Sequence, residues 1–189
     1  MTAAALITPE DFWPQFGSCE HSMFRLETLQ RYQGSDEEED LAAFTAGHPR
    51  PGANRRKNRW TDMLTARRLA GKTQQRVHII TEPLTAYVQW ELTWGYEPNI
   101  VAGEDIRIIP AAQGTWPAGL PREDFWLFDS SRLYAMRYDP DGTWLGAEPI
   151  TGPAGITQAC RWRDTALYQA VPWREYLASR LDLKRRLAA

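Results

Sequence analysis

RVHIITEPLTAYVQWELTWGYEPNIVAGEDIRII, residues 76–109, is the stretch that decides the fold. Its first six residues, Arg76 to Thr81, are rich in apolar and β-branched side chains and predict a buried strand. Pro83 then opens a predicted helix running to about Tyr96. Leu84, Val88 and Leu92 lie on one stripe of it and Tyr87, Glu91 and Trp94 on the next. Pro98 breaks this helix, Ala102-Gly103 turns the chain, and Asp105 to Ile109 predicts a second strand. Strand, helix and strand at this spacing make a βαβ unit, with parallel strands and a right-handed crossover.

Downstream, Phe125 to Asp129, Leu133 to Tyr138 and Thr143 to Glu148 read as three more strands. Asp139-Pro140-Asp141-Gly142 places proline and glycine where a tight turn needs them, so the last two strands should pair antiparallel. A helix from about Pro153 carries Ile156, Cys160 and Leu167 inward, breaks at Pro172 and resumes through Trp173, Tyr176, Leu177 and Leu181. Lys184-Arg185-Arg186 suits the negative end of that helix.

Upstream, Thr8-Pro9-Glu10 is a helix start, with Phe12, Trp13 and Phe16 as its apolar face and Gly17 as its stop. Met23 to Tyr32 fits helix and strand alike. Ser35-Asp36-Glu37-Glu38 is a capping box for a helix to about Ala46, with Leu41 and Phe44 inward. The macrodipole accounts for the acidic run at 36–40 without a ligand. His48 to Asn58 reads as a polar, basic loop, and a helix from Trp60 to about Ala70 follows, with Trp60, Met63, Leu64 and Leu69 on its apolar side. Arg55, Arg56, Lys57, Arg59, Arg67 and Arg68 form the one basic patch, read as a solvated face.

The expected architecture is α/β: a mixed sheet of about five strands in a β-α-β-β-β-α core, flanked by helices, with the N-terminal helices packed on it. The whole of 1–189 reads as one domain, mainly helical over 1–72 and α/β over 73–189.

Composition narrows the chemistry. A chain of 189 residues can bury roughly 70 % of its unfolded surface without staples. Its two cysteines, Cys19 and Cys160, form no C-x-x-C pair, and three histidines make a closed zinc site hard to assemble; the thiols read as free, in a reducing compartment. The start, MTAAALITPEDFW, lacks a basic head before its short apolar stretch. No run approaches the ~18 apolar residues of a membrane span, so the expected location is cytoplasmic. A net charge of −2 argues against bulk attraction to nucleic acid. Neither a nucleophile elbow with a serving histidine nor H-E-x-x-H nor G-x-G-x-x-G occurs, and Gly71-Lys72-Thr73 precedes a predicted strand, where a phosphate-binding loop must open a helix. No catalytic residue, metal ligand or cofactor is assigned.

A ligand in an open α/β sheet sits beyond the carboxyl ends of the parallel strands. There the sequence places Glu82, Asn99 and Glu104, while Tyr87, Glu91 and Trp94 offer an aromatic wall with a carboxylate, or else an amphipathic helix with one glutamate at its edge. Arg107, Asp124, Trp126 and Asp129 complete this candidate set. Arg76 and Arg107 are expected to pair with Glu104, Asp105 or Asp124. His78, mid-strand, reads as a core histidine.

The element order resembles a half-domain of the phospholipase D-like fold, whose motif is H-x-K, four residues, then Asp, with Gly-Ser beyond. Aligned on Asp129, the chain has Arg122 for the histidine, Asp124 for the lysine and Met136-Arg137 for Gly-Ser, which implies a scaffold without the phosphoryl-transfer chemistry. Over nearly its full length the chain is also similar to an uncharacterised actinobacterial domain-of-unknown-function family. The matching stretches are Phe24-Arg25-Leu26-Glu27, Arg76-Val77-His78, Glu82-Pro83-Leu84-Thr85, Ala102-Gly103-Glu104, Asp124-Phe125-Trp126-Leu127-Phe128-Asp129 and Val171-Pro172-Trp173. Genes of that family often lie beside those of helix-turn-helix regulators, which implies a regulatory or toxin-antitoxin-like partnership.

The leading expectation is a non-enzymatic regulatory domain that binds a helix-turn-helix protein or a small effector. The alternatives are a hydrolase or nuclease toxin using Glu82, Glu91, Asp124 or Asp129 as acid/base, and DNA contact through Arg55 to Arg68.

Overall fold

The computed structural model describes residues 5–33, 37–50, 55–180 and 183, without the side chains of 55–58. Two short helical turns, α1 (Pro9–Phe12) and α2 (Pro14–Gly17), replace the single helix expected at the start. Thr8 caps the first, its hydroxyl accepting from the Asp11 N–H, and Pro14 divides them because it has no N–H to continue the ladder. The ambiguous segment resolves as strand β1 (Ser22–Glu27). Helices α3 (Glu38–Thr45) and α4 (Arg55–Leu69) follow, and α4 begins inside the stretch read as loop. The serine of the proposed capping box lies outside the described residues.

Next come β2 (Thr73–Glu82), α5 (Ala86–Trp90), a π-helical turn (Glu91–Gly95), α6 (Tyr96–Ala102) and β3 (Asp105–Ala112). The helix starts three residues after Pro83, because Glu82 still pairs with Ala112 and the cap is Thr85, whose hydroxyl accepts from Val88 N–H at 3.1 Å. Pro98 does not break it. The widened turn, closed by Tyr96 N–H to the Glu91 carbonyl, carries the chain past the proline. Pro98 leaves the Trp94 carbonyl without its helical donor, and Arg50 Nη2 supplies one at 2.6 Å. The chain then forms β4 (Phe125–Phe128), β5 (Arg132–Tyr138), β6 (Trp144–Ile150), α7 (Pro153–Gln169), β7 (Val171–Pro172) and α8 (Trp173–Ser179). Leu181 and Lys184-Arg185-Arg186 lie outside the described residues.

The sheet has seven strands in the order β6-β5-β4-β1-β2-β3-β7. The βαβ unit is as expected, β2 and β3 being parallel; β1 is parallel to β2, and the β4, β5 and β6 pairings are antiparallel. The two strands beyond the expected five are β1 and β7. Because β1 is central, the part read as mainly helical supplies the middle of the sheet, and residue 72 marks no structural boundary.

Alternation along β1 divides the core. Phe24 and Leu26 face a dry layer with Val77, Ile79, Phe125, Leu127 and Leu133, closed by Ala159, Ala166 and Ala170 near and along α7. The opposite face is covered in two parts. Phe12, Phe16, Leu64, Trp126 and Phe128 form one cluster, while Ile80, Val88, Trp90, Leu92, Ile108 and Trp173 form the other. Arg25 and Glu27 of β1 stand on this face.

Candidate ligand-binding site

Sheet register sets a charged row across that face: Arg25 lies opposite Arg76 on one side and Trp126 on the other, and Glu27 lies opposite His78. Two arginines side by side are unfavourable unless carboxylates intervene. Glu27 does so, pairing with Arg76 and lying 3.5 Å from Arg25 Nε. Arg76 also donates to Glu104 at 2.9 Å, and Arg25 Nη2 donates to Asp124 at 2.9 Å and to the Tyr138 hydroxyl at 2.6 Å. Asp124 further accepts from Thr28 N–H, the Thr28 hydroxyl and the Tyr32 hydroxyl. Burial alone would raise the Glu27 carboxyl; Arg76, Arg25 and His78 outweigh it and hold it well below the ordinary range. Burial raises Glu104, with Arg76 offsetting part of the rise.

The His78 ring is completely buried. Its Nε2 faces the Leu29 carbonyl at 2.8 Å and must carry hydrogen. Nδ1 faces the Tyr96 hydroxyl at 2.8 Å, whose own hydrogen goes to Glu27, so Nδ1 is a donor too, with Glu91 Oε2 at 3.1 Å. Both nitrogens as donors define an imidazolium. Burial pulls His78 down, but Glu91, Glu27 and the Leu29 carbonyl together lift it to about 9. Glu27, His78 and Glu91 have oxygen and nitrogen atoms within 4.8 Å of one another, a spacing that suits a metal. Two guanidiniums already engage Glu27, which makes the group an ion-pair cluster and a poor ligand set.

A cavity of about 360 Å³ opens onto this row. Phe12, Trp13 and Phe16 wall it from α1 and α2, and Trp126, Met136 and Trp144 from the sheet; Arg25, Glu27, Tyr32, Gln33 and Tyr138 supply its polar lining. The aromatic walls are locked edge to face, Phe16 at 5.1 Å from Trp126 and Phe12 at 5.7 Å from Trp144. Arg25, only 5 % exposed, lies 5.4 Å from the Trp126 ring centroid. Its Nη1 has no partner among the described residues, and neither has Trp144 Nε1.

Of the residues expected to bind a ligand, the structure brings Trp126 to the cavity, puts Asp124 directly behind Arg25, and sets Glu91 and Glu104 at the far end of the network. The others are placed elsewhere. Tyr87 and Trp94 are buried in the core beside Trp90 and Phe44, so the three-residue aromatic wall faces inward. Glu82 accepts from the Tyr176 hydroxyl at 2.7 Å and tethers α8. Asn99 accepts through its carbonyl from Gly103 and Glu104 N–H at the end of α6, and Arg107 pairs with Asp105 at 3.0 Å. The cavity lies over the sheet between β1 and β6, away from the crevice expected beyond the β2 and β3 ends.

Asp129 has a structural job. Its carboxylate accepts from the N–H groups of Glu20, His21 and Ser22 at 2.7–3.0 Å, and these bonds hold its pKa far below normal although burial pushes the other way. Asp129→Ala is expected to cost about 2 kcal/mol at neutral pH, since three donors lose a charged acceptor. A depressed folded pKa gives stability that is present above the unfolded value, ~4, and lost as the pH falls through the folded one. The gap between wild type and variant should therefore close in acid, as urea titrations at pH 7 and pH 3 would show.

The basic patch is exposed at Arg59 and Arg68 but not at Arg67. Arg67 is buried, donating to the Cys19 carbonyl at 3.1 Å; Arg68 donates to the Ala102 carbonyl; Arg59 stacks 4.1 Å from the Trp13 ring centroid. The side chains of Arg55, Arg56 and Lys57 lie outside the described residues. Leu69, placed on the apolar side of α4, is 75 % exposed. Cys19 and Cys160 are free thiols, Cys19 buried and its pKa raised by that burial. No helix among the described residues is long and apolar enough to cross a membrane.

The sequence alone did not single out Arg25, Glu27, Tyr32, Tyr138 and Trp144 as site residues, and gave Phe12, Trp13 and Phe16 only as the apolar face of a helix. The signal was present in Phe24-Arg25-Leu26-Glu27, where charges alternate with large apolar residues as in a strand with one wet face.

By its fold the chain is an α/β domain on a mixed seven-stranded sheet with helices on both faces. It belongs to a family of domains of unknown function, DUF6879, which it matches over residues 10–178. No curated protein sequence matches it.

Proposed function

We propose that this domain binds a small effector in the cavity between α1–α2 and the sheet, and works as a sensor without chemistry of its own. The observation that carries this reading is the cavity itself: about 360 Å³, within the usual range for small-molecule sites, aromatic on most sides and ending on a fixed charge network. The carboxylate lining it, Glu27, already engages Arg76, Arg25 and Tyr96, so it is poorly placed as an acid or base. Glu82, Glu91, Asp124 and Asp129, the acids of the hydrolase reading, do not converge on it. Contact with nucleic acid through the α4 patch is the weaker alternative, because Arg67 is buried and Arg59 is stacked on Trp13. The partner that would receive the signal is, on the family resemblance, a helix-turn-helix regulator.

The test fills the cavity. Met136 lines it and is buried, so Met136→Trp should occupy the space while leaving the charged row in place. A compound at 100 times its Kd should stabilise the wild type by about 3 kcal/mol. The same compound should leave Met136→Trp unchanged in a thermal-shift assay, with far-ultraviolet circular dichroism confirming the fold. Compounds that stabilise both proteins equally would place binding elsewhere.

A further inference from the structure

The lining of the cavity says what kind of molecule it would take. Two side chains there carry N–H donors with no partner among the described residues, Arg25 through Nη1 and Trp144 through Nε1; both nitrogens are sealed, and a ligand acceptor reaches them when these side chains turn towards the cavity. A buried donor left unpaired is costly, and a ligand bearing an acceptor removes that cost. Every other hydrogen-bonding edge of Arg25 faces a partner: Nη2 is used by Asp124 and Tyr138, and Nε lies towards Glu27. The unmet demand is therefore for an oxygen or nitrogen lone pair, and a cation is excluded because it would meet a guanidinium.

Charge decides between a neutral and an anionic acceptor. The network holds three cations, Arg25, Arg76 and His78, against three carboxylates, Glu27, Glu91 and Asp124, all within one contiguous set of contacts. Glu104, beside Arg76, adds a further negative charge whenever it ionises. The row is balanced or slightly negative before any ligand arrives. An anion entering beside Arg25 would meet Glu27 and Asp124, which already share that guanidinium, whereas a carbonyl oxygen takes the bond without adding charge. The aromatic walls favour a flat apolar body.

We infer that the cavity takes a neutral, planar aromatic or heteroaromatic molecule that presents a carbonyl oxygen to Arg25 Nη1. This rests on reading the cavity as a small-molecule site. The probes are three bicyclic compounds of similar size: coumarin, with a neutral carbonyl; 2-naphthoate, an anionic acceptor; and 2-naphthylmethylammonium, a cation. Isothermal titration calorimetry with the full chain at pH 7 should find coumarin at least about tenfold tighter than 2-naphthoate, the preference a buried extra charge imposes. No binding of the cation is expected. Coumarin should weaken several-fold in Trp144→Phe, which keeps the wall and removes the donor, and should be lost in Met136→Trp. Arg25→Lys, which keeps the charge and removes Nη1, should weaken it further; where that variant fails to fold, the three-probe ranking and Trp144→Phe still decide. If 2-naphthoate or the cation binds more tightly than coumarin, and Met136→Trp abolishes that binding, the ligand class is wrong and the cavity reading survives. If no probe binds at millimolar concentration, or Met136→Trp leaves binding intact, both fall.

Discussion

Arg76→Met is expected to lower the unfolding free energy by about 3–5 kcal/mol, the range found when one partner of a buried ion pair is removed. The Arg76 side chain is 12 % exposed and engages two carboxylates that are themselves almost sealed, Glu27 and Glu104. Methionine fills much of the volume but leaves both acids without their shared cation. Glu104 would escape by taking up a proton, since burial already raises it, while Glu27 would be left with Arg25 and His78. Adding Glu104→Gln to Arg76→Met should therefore recover part of the loss. Urea denaturation gives both numbers, and a loss below about 1 kcal/mol for the single variant would mean that the row is not a coupled network.

The second large effect is a dependence on pH. His78 rises from its ordinary value, about 6.5, to about 9 in the folded protein. Between those values the folded state holds a proton that the unfolded chain has released. Stability from this group is complete below pH ~6.5 and is lost as the pH climbs through 9, by about 3 kcal/mol at the most. His78→Gln should abolish that slope, so the difference in stability between wild type and variant should shrink steadily from pH 6.5 to pH 9. Parallel lines for the two proteins would show that the ring is neutral in the fold.

Much of the architecture was legible because it depends on local patterns. The apolar, β-branched run at 76–81, the Asp139-Pro140-Asp141-Gly142 turn and the Thr8 cap each act within a few residues, and each led to the right element. Pro98 misled because its effect was cancelled from far away: a π-turn re-registers the helix and Arg50, 44 residues upstream of Trp94, takes the freed carbonyl. β1 stayed ambiguous because its charged positions find partners on β2, just before β4, on β5 and on α6, all distant in sequence. The site was harder to read for the same reason. Trp126 and Asp124 were singled out from a short aromatic and acidic stretch, but the cavity exists only because α1 and α2 fold over β4, β5 and β6. Asp129 drew notice as a possible remnant of chemistry, and its role is to hold the backbone entering β1.

The position of β1 bears on how the molecule assembles. This strand must wait for two partners made much later in the chain, since Ser22 pairs with Thr73 and Met23 with Phe128. Closing loops of that length before any sheet contact is gained slows folding, and a topology rich in such contacts folds on the slower side of single domains. Until Phe128 emerges during synthesis, β1 would expose its apolar edge with only one neighbour, leaving the nascent chain open to strand-to-strand association.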